Sequence, residues 1–373
     1  MIDPAHRTPR LALYGFHRGA NGIGRVMCNL ANAVAAQDVA VDVLVSQADS
    51  ADLQLLDPAV RVIELGARRG RTAVAGLADY LAREQPATLL SNREWANRLA
   101  LRARRRAGVP VWLAFRVGSP MSASLARRPW PNRLWHRRRL RRAYRAAEHV
   151  IAISAGVADD LRTVIGPMTG HLAVLPNPSV PTDIDRQAAQ AVPHPWVAHA
   201  DQPLLLAAGR LVAAKDFALL LRAFAILRRG RTARLVIIGE GPLRPALLAL
   251  AAELGVADDL DLPGFVANPA AWMAKASLFV VSSAYEGGPN VLIEALACGT
   301  PAVSTDCPHG PREILDNGRW GPLVPPGDAV ALAEAMAATL DAPLPAATLR
   351  EAMAPYRADV AARAYVQALG LAP

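Results

Sequence analysis

The chain has 373 residues, 52% of them hydrophobic and 20% charged, and carries a net charge of +9. Its length exceeds one ordinary core and calls for two domains, while its composition excludes a disordered chain. Cys28, Cys298 and Cys307 lack any CxxC spacing, which excludes a disulfide framework and a zinc site and fits a reducing cytosol.

The opening MIDPAHRTPRLALYG has no apolar core followed by a cleavage site. No run approaches the ~18 apolar residues of a membrane span. A cytoplasmic protein is therefore expected. Residues 1–180 hold 26 Arg against 13 acids, and the remainder 15 Lys and Arg against 19 acids. An anionic partner for the first half follows from that asymmetry.

In chain order, LALYGF, VDVLVS, ATLLS, VPVWLAF, HVIAIS and LAVLP read as strands, each followed by a helical stretch, and PLLLAAG, RLVIIG, SLFVVSS and PAVSTD form a second series. Strand-helix alternation predicts parallel sheets, and near-continuous hydrophobicity predicts strands buried on both faces. The fold class is thus α/β, with two Rossmann-like domains whose parallel sheets face across a cleft. A first domain is expected over 1–180, a Pro-rich linker over 181–202, a second domain over 203–355, and over 356–373 a C-terminal helix that packs back on the first.

Ligands of such sheets sit beyond the carboxyl ends of the strands, so motifs directly after strands carry the chemistry. GANGIGRV follows the first strand, and its Gly19, Gly22 and Gly24 suit a phosphate or a plain turn. As a dinucleotide fingerprint it fails at Met27, although Asp42 stands at the spacing of a ribose contact. In GRLVAAKD, Arg210 and Lys215 suit a leaving diphosphate; Lys215 is one of two lysines beside 39 arginines.

In SSAYEGGPNVLIEALACG a helix is expected to begin near Gly288 to Asn290. Its free amides and dipole, with Gly287, Gly288, Pro289, Asn290 and Val291 around them, suit a diphosphate. Glu286 and Glu294 would then address a sugar and a ribose; alternatively Glu286 caps the helix and Glu294 is a structural ion-pair partner. The DxD triplets at Asp183/Asp185 and Asp259/Asp261 read as solvated turn acids, so no metal is expected.

Residues 127–145, RRPWPNRLWHRRRLRRAYR, lie in a stretch free of acids between Glu94 and Glu148. Arg137, Arg138, Arg139, Arg141 and Arg142 beside Trp130 and Trp135 suit an anionic membrane surface. Leu140, Ala143, Tyr144 and Ala147 share one helical face that Leu134 and Trp135 do not. No nucleic-acid motif accompanies the stretch, so nucleic acid is not an expected partner.

Taken in order, AAGRLVAAKD, GEGP, GFV, EGGPNVLIEALACGTPAVSTD and GPLVPPGD over residues 200–330 resemble the family 4 glycosyltransferases of the GT-B fold. The glycine loop, HVIAIS and LPNP resemble them more loosely. The resemblance implies a retaining, metal-independent transferase that takes a hexose or N-acetylhexosamine from a nucleotide sugar, most often a UDP-sugar, with no other cofactor. It implies Arg210 and Lys215 at the diphosphate, Glu286 at the sugar hydroxyls and Glu294 at the ribose. Gly264, Phe265 and Val266 would meet the base, and Gly22 and Gly24 the phosphates.

Many members carry a His where this chain has Arg116, which is open to a sugar contact, an acceptor-phosphate contact or a structural role. TDCPHGPREIL resembles the branch that builds surface polysaccharides and glycans on polyprenyl diphosphate carriers. That implies a glycan or lipid-linked acceptor and peripheral binding at the inner face of the cytoplasmic membrane. A non-catalytic nucleotide-sugar binder and a NAD-dependent oxidoreductase are the alternatives.

Overall fold

A computed structural model describes residues 9–16, 22–46, 51–66, 70–126, 129–167, 170–198, 201–308 and 310–372. The chain divides into two units, residues 1–182 with 356–373, and residues 183–355. Gly19 lies outside the described residues.

The first unit contains β1 (Arg10–Tyr14), β2 (Ala40–Val45), β3 (Arg61–Glu64), β4 (Thr88–Asn92), β5 (Trp112–Val117), β6 (His149–Ala152) and β7 (His171–Val174). They pair in parallel in the order β3-β2-β1-β4-β5-β6-β7. Successive strand residues point to opposite faces, and here both faces are apolar: Leu11 and Leu13 join one core cluster, Ala12 and Tyr14 another. Hence the strands read as unbroken apolar runs.

The final helix, Ala358–Ala368, belongs to this unit. Ala358, Ala362, Tyr365 and Val366 share a core cluster with Leu30, Ala31 and Val34 of the helix Gly22–Ala35. A backbone bridge between Val180 and Arg357 precedes it, with Ala358 N–H donating to Val180 O at 2.8 Å.

Asp42, on β2, is completely buried yet charged. Tyr80 Oη and Arg61 Nη2 each donate to its Oδ2 at 2.6 Å, and Arg10 Nη1 donates to Oδ1 at 2.9 Å. Burial alone would raise this carboxyl, but the bonds from Arg61, Tyr80 and Arg10 together outweigh it and hold it below the usual range. A folded pKa below the unfolded value of about 3.9 stabilises the protein above that value, and the gain is lost as pH falls through the folded pKa. Urea midpoints taken from pH 6 to pH 3 should therefore fall in wild type and fall less steeply in Asp42→Asn.

The second unit contains β8 (Leu204–Ala208), β9 (Arg234–Ile238), β10 (Leu260–Gly264), β11 (Leu278–Val281), β12 (Ala302–Thr305) and β13 (Leu323–Val324), parallel in the order β10-β9-β8-β11-β12-β13. The expected linker over 181–202 is corrected. The division falls after Thr182, and from Asp183 the chain already belongs to this unit through short helices at Ile184–Ala188 and Pro195–Ala198. Asn268 Nδ2 holds Gln187 O at 2.8 Å, and His194 Nε2 pairs with Asp261 Oδ2 at 3.0 Å. These polar contacts, scattered along the sequence, hold the segment down without an apolar run.

Candidate functional site

β8 is the pivot of the second sheet, because the chain leaves it for β9 on one side and later returns to pair β11 on the other. Loops after two such neighbours part at their carboxyl ends and leave a crevice there. The loop after β8 carries Arg210 and Lys215; the loop after β11 carries Glu286. Ala284 N–H donates to Ala214 O at 2.9 Å and Ser282 Oγ to Lys215 O at 2.9 Å, which fixes one loop on the other.

Lys215 Nζ then donates to Glu286 Oε1 at 2.5 Å, and Ser283 Oγ donates to the same oxygen at 2.8 Å. Thr305 Oγ1 holds Ser283 through its carbonyl at 2.7 Å. Among the described residues, Glu286 Oε2 and the remaining Lys215 N–H donors have no protein partner, and the exposed Arg210 side chain has none either. Cationic and anionic groups thus meet here with capacity to spare.

Asp216 follows Lys215 with φ 43° and caps the helix Phe217–Arg228, its side chain accepting from Leu219 N–H at 3.2 Å. That cap fixes the direction of Lys215. Opposite it, the helix Asn290–Ala297 begins after Pro289, as the sequence predicts. Glu286 lies in the loop before this helix. Glu294, buried at 7% exposure, lies within it.

The edge is closely packed backbone to backbone. Gly209 N–H donates to Ile238 O at 3.0 Å, Leu211 N–H to Glu240 O at 2.9 Å and Gly239 N–H to Gly264 O at 2.7 Å. A Cβ on Gly239, which has φ +132°, would stand 2.0 Å from Gly209 O. Gly310, at φ +115°, is also closely approached: its Cβ would be 2.9 Å from both Gly288 Cα and Pro289 Cδ. These motif glycines let the loops stack. Beside them Gly264 is buried, Val266 half-buried and Phe265 65% exposed.

The three cysteines are buried, and burial first pushes each thiol up to about 12, with Glu294 adding to the rise at Cys298 and Glu286 at Cys307. None is a thiolate nucleophile at neutral pH. Of the four DxD acids, expected to be solvated, Asp185 is exposed, whereas the other three are engaged: Asp183 binds Arg186 at 2.6 Å, Asp259 binds Arg228 at 2.6 Å, and Asp261 binds His194. Among the described residues no three His, Cys, Asp or Glu side chains form a metal-binding group.

In the first unit several expectations are corrected. Gly22 is exposed at the start of its helix, but Gly24 is buried, and a Cβ on it would lie 2.0 Å from Asp52 Oδ2. Its lack of a side chain makes room for Asp52. Met27 is core, and Asp42 is enclosed by Arg10, Arg61 and Tyr80, which removes the ribose contact that a NAD site would use.

Arg116 is 2% exposed. Its Nε donates to Tyr365 Oη at 3.2 Å, Nη1 to Asn92 Oδ1 at 3.0 Å, and Nη2 to Asn177 Oδ1. It ties β5 to β4, to the LPNP turn and to the last helix, so the structural alternative is the one seen. In the helix Trp130–Tyr144, Leu140, Ala143 and Tyr144 are buried, whereas Trp130 and Trp135 are 78% and 60% exposed. Arg137 and Arg141 turn inward and donate to Val164 O at 3.0 and 3.1 Å, so they are not part of an open basic surface. Arg138 and Arg142 are exposed, and Arg139 stands 5.1 Å from the Trp135 ring centre.

Sequence reasoning missed Ser282, Ser283 and Thr305, although the SS after the LFVV strand and the T before the acid in VSTD were there to be read. Asn92 and Tyr365 carried no signal, and Asn177 only its place in the LPNP motif.

Residues 202–342 match the family model described as Glycosyl transferases group 1, and residues 21–178 that of the Glycosyl transferase 4-like domain. A Campylobacter jejuni N-acetylgalactosamine-N,N'-diacetylbacillosaminyl-diphospho-undecaprenol 4-alpha-N-acetylgalactosaminyltransferase is 45% identical over 120 residues, 32% of each chain. An alpha-D-kanosaminyltransferase of Streptomyces kanamyceticus is 30% identical over 231 residues, 60% of this chain and 58% of that one. The aligned segments thus span less than two thirds of these relatives. Among solved structures, Anabaena HepE in complex with UDP-glucose is similar with a TM-score of 0.70 at 20% identity, over 98% of this chain and 97% of that one. The shared fold is GT-B. The chain belongs to the family 4 glycosyltransferases.

Proposed function

We propose that this chain is a retaining glycosyltransferase that moves a hexose or N-acetylhexosamine from a UDP-sugar to a glycan or polyprenyl-diphosphate-linked acceptor in bacterial polysaccharide or lipid-linked glycan assembly. The observation that carries this reading is the meeting of Lys215 with Glu286 beside the unpartnered Arg210, where the helix Asn290–Ala297 begins. The names of the relatives, which include a diphospho-undecaprenol transferase, support the acceptor class.

In this reading the bond between the sugar's anomeric carbon and the diphosphate breaks as UDP leaves. Arg210, Lys215 and the helix start at Gly287, Gly288, Pro289, Asn290 and Val291 stabilise the charge that develops on it, without a metal. Glu286, which Ser283 and Lys215 keep in place, faces the sugar hydroxyls and offsets positive charge at the anomeric carbon. The leaving phosphate takes the acceptor's proton as attack occurs on the face it vacates. Glu294 holds the ribose; Gly264, Phe265 and Val266 meet the base.

Peripheral binding at the cytoplasmic face of a membrane belongs to the same reading, supported by the exposed Trp130, Leu134 and Trp135 beside exposed arginines. No described helix is long and apolar enough to cross a membrane.

Glu294→Gln keeps the side-chain volume and removes the charged acceptor. UDP release measured with donor and acceptor should show a KM for the donor raised about 10- to 100-fold, with kcat changed less. An unchanged KM would remove Glu294 from the donor site. A protein that binds UDP-sugars but releases no UDP with any acceptor would instead be the non-catalytic binder.

A further inference from the structure

The first unit carries a groove of about 520 Å³ between the helix Glu94–Ala107 and the helix Trp130–Tyr144. Its walls are Arg98, Arg102 and Arg105 from one helix, and Arg139, Arg142 and Arg145 from the end of the other. Leu101 and Ala143, both buried, form an apolar floor. No acid lines it.

Neighbouring charges compensate this cluster only at one end, where Glu94 faces Arg98. Of the two acids that bracket the stretch, Glu148 is taken by Arg104 at 2.7 Å, and Glu94 lies 3.0 Å from His136 and 3.7 Å from Arg98. Other arginines of the same helices find protein oxygens: Arg104 binds Val111 O and Ala146 O besides Glu148, and Arg137 and Arg141 bind Val164 O. Arg102, Arg105 and Arg142, by contrast, have no partner among the described residues. Arg139 is pulled below the usual arginine range, first by burial and then by the charges of Arg98 and Arg102. Like charges gathered in one concavity repel one another and raise the local concentration of anions.

We propose that this groove is a binding site for a diphosphate group. Guanidinium forks match phosphate oxygens in pairs, and Arg102 and Arg105 on one wall with Arg142 on the other supply donors for two linked phosphoryl groups, while Arg98 is shared with Glu94, Arg139 with the Trp135 ring and Arg145 with Pro167 O. The apolar floor accepts the organic part that such an ester carries. A lipid diphosphate and a soluble one share this chemistry. The groove stands apart from the donor residues of the second unit in sequence and does not depend on their assignment.

The test uses the full chain at fixed ionic strength, titrated with inorganic pyrophosphate and with orthophosphate by calorimetry. Lys215→Ala is run in parallel to remove any contribution from the donor residues. Pyrophosphate should bind saturably, more tightly than orthophosphate, and should still bind in Lys215→Ala. In the double variant Arg102→Ala/Arg142→Ala, whose side chains are exposed and unpartnered, pyrophosphate affinity should fall about 100-fold, at about tenfold per charged hydrogen-bonding group, with UDP affinity unchanged. Flotation with phosphatidylcholine vesicles that requires added polyprenyl diphosphate, and that pyrophosphate competes away, identifies a lipid-borne ligand. Pyrophosphate binding without flotation identifies a soluble one. Pyrophosphate that binds no better than orthophosphate, or equally well to the double variant, overturns the proposal; loss of UDP binding alone counts against the donor reading only.

Discussion

Lys215→Ala should lower kcat about 10²- to 10³-fold, the size of effect seen when one donor to a developing anion is removed. The ammonium lies 2.5 Å from Glu286 Oε1, where the loops after β8 and β11 meet, and its stem runs beside Gly209, where a Cβ would meet Lys215 Cε at 3.2 Å. A narrow stem over a glycine and a compact charged tip at the end explain a lysine in a chain that otherwise uses arginine. Lys215→Arg should therefore restore little, since a planar fork needs more width than this path offers. Separate kcat and KM values for UDP formation check both variants. Their melting temperatures should fall only modestly, because Glu286, 12% exposed, loses its counter-charge in Lys215→Ala but keeps the Ser283 hydroxyl. A kcat within threefold of wild type would remove Lys215 from the chemistry.

Arg116→Met should destabilise the first unit by about 3–5 kcal/mol, measured by urea denaturation, because it strands three buried oxygens that now accept from one guanidinium. Arg116→Lys should recover only a part, since one ammonium cannot span Asn92, Asn177 and Tyr365 in the geometry of the fork. Retained stability with lost acceptor turnover would return Arg116 to the reacting groups.

Arg116 also shows where sequence reading stops. Its partners lie 24, 61 and 249 positions away, so nothing local distinguishes a buried tie from a ligand contact. The surroundings of Gly24 and Asp42 were out of reach for the same reason: Asp52 packs where a Cβ on Gly24 would stand, and Arg10, Arg61 and Tyr80 enclose Asp42. What was legible had a local cause. Two-sided burial makes a strand read as an apolar run, so the central strands stood out. β3, with an exposed and polar edge, and β13, with two residues, did not. On the carboxyl edge of the second sheet, Arg210, Lys215, Glu286 and the start of the helix at Asn290 could be named because each lies in the segment that follows a strand. The serines that hold Glu286 and Lys215 became visible only once β8 and β11 were adjacent.

The central claim is that the carboxyl edge of the second sheet receives a UDP-sugar. Thermal denaturation of the wild-type chain with UDP, UDP-hexoses, UDP-N-acetylhexosamines and NAD tests it most directly. A ligand at 100 times its Kd should add about 2.7 kcal/mol of stability. A rise in melting temperature with UDP and with one or more UDP-sugars, diminished in Lys215→Ala and absent with NAD, is the expected result; stabilisation by NAD with no response to any uridine nucleotide would contradict the account.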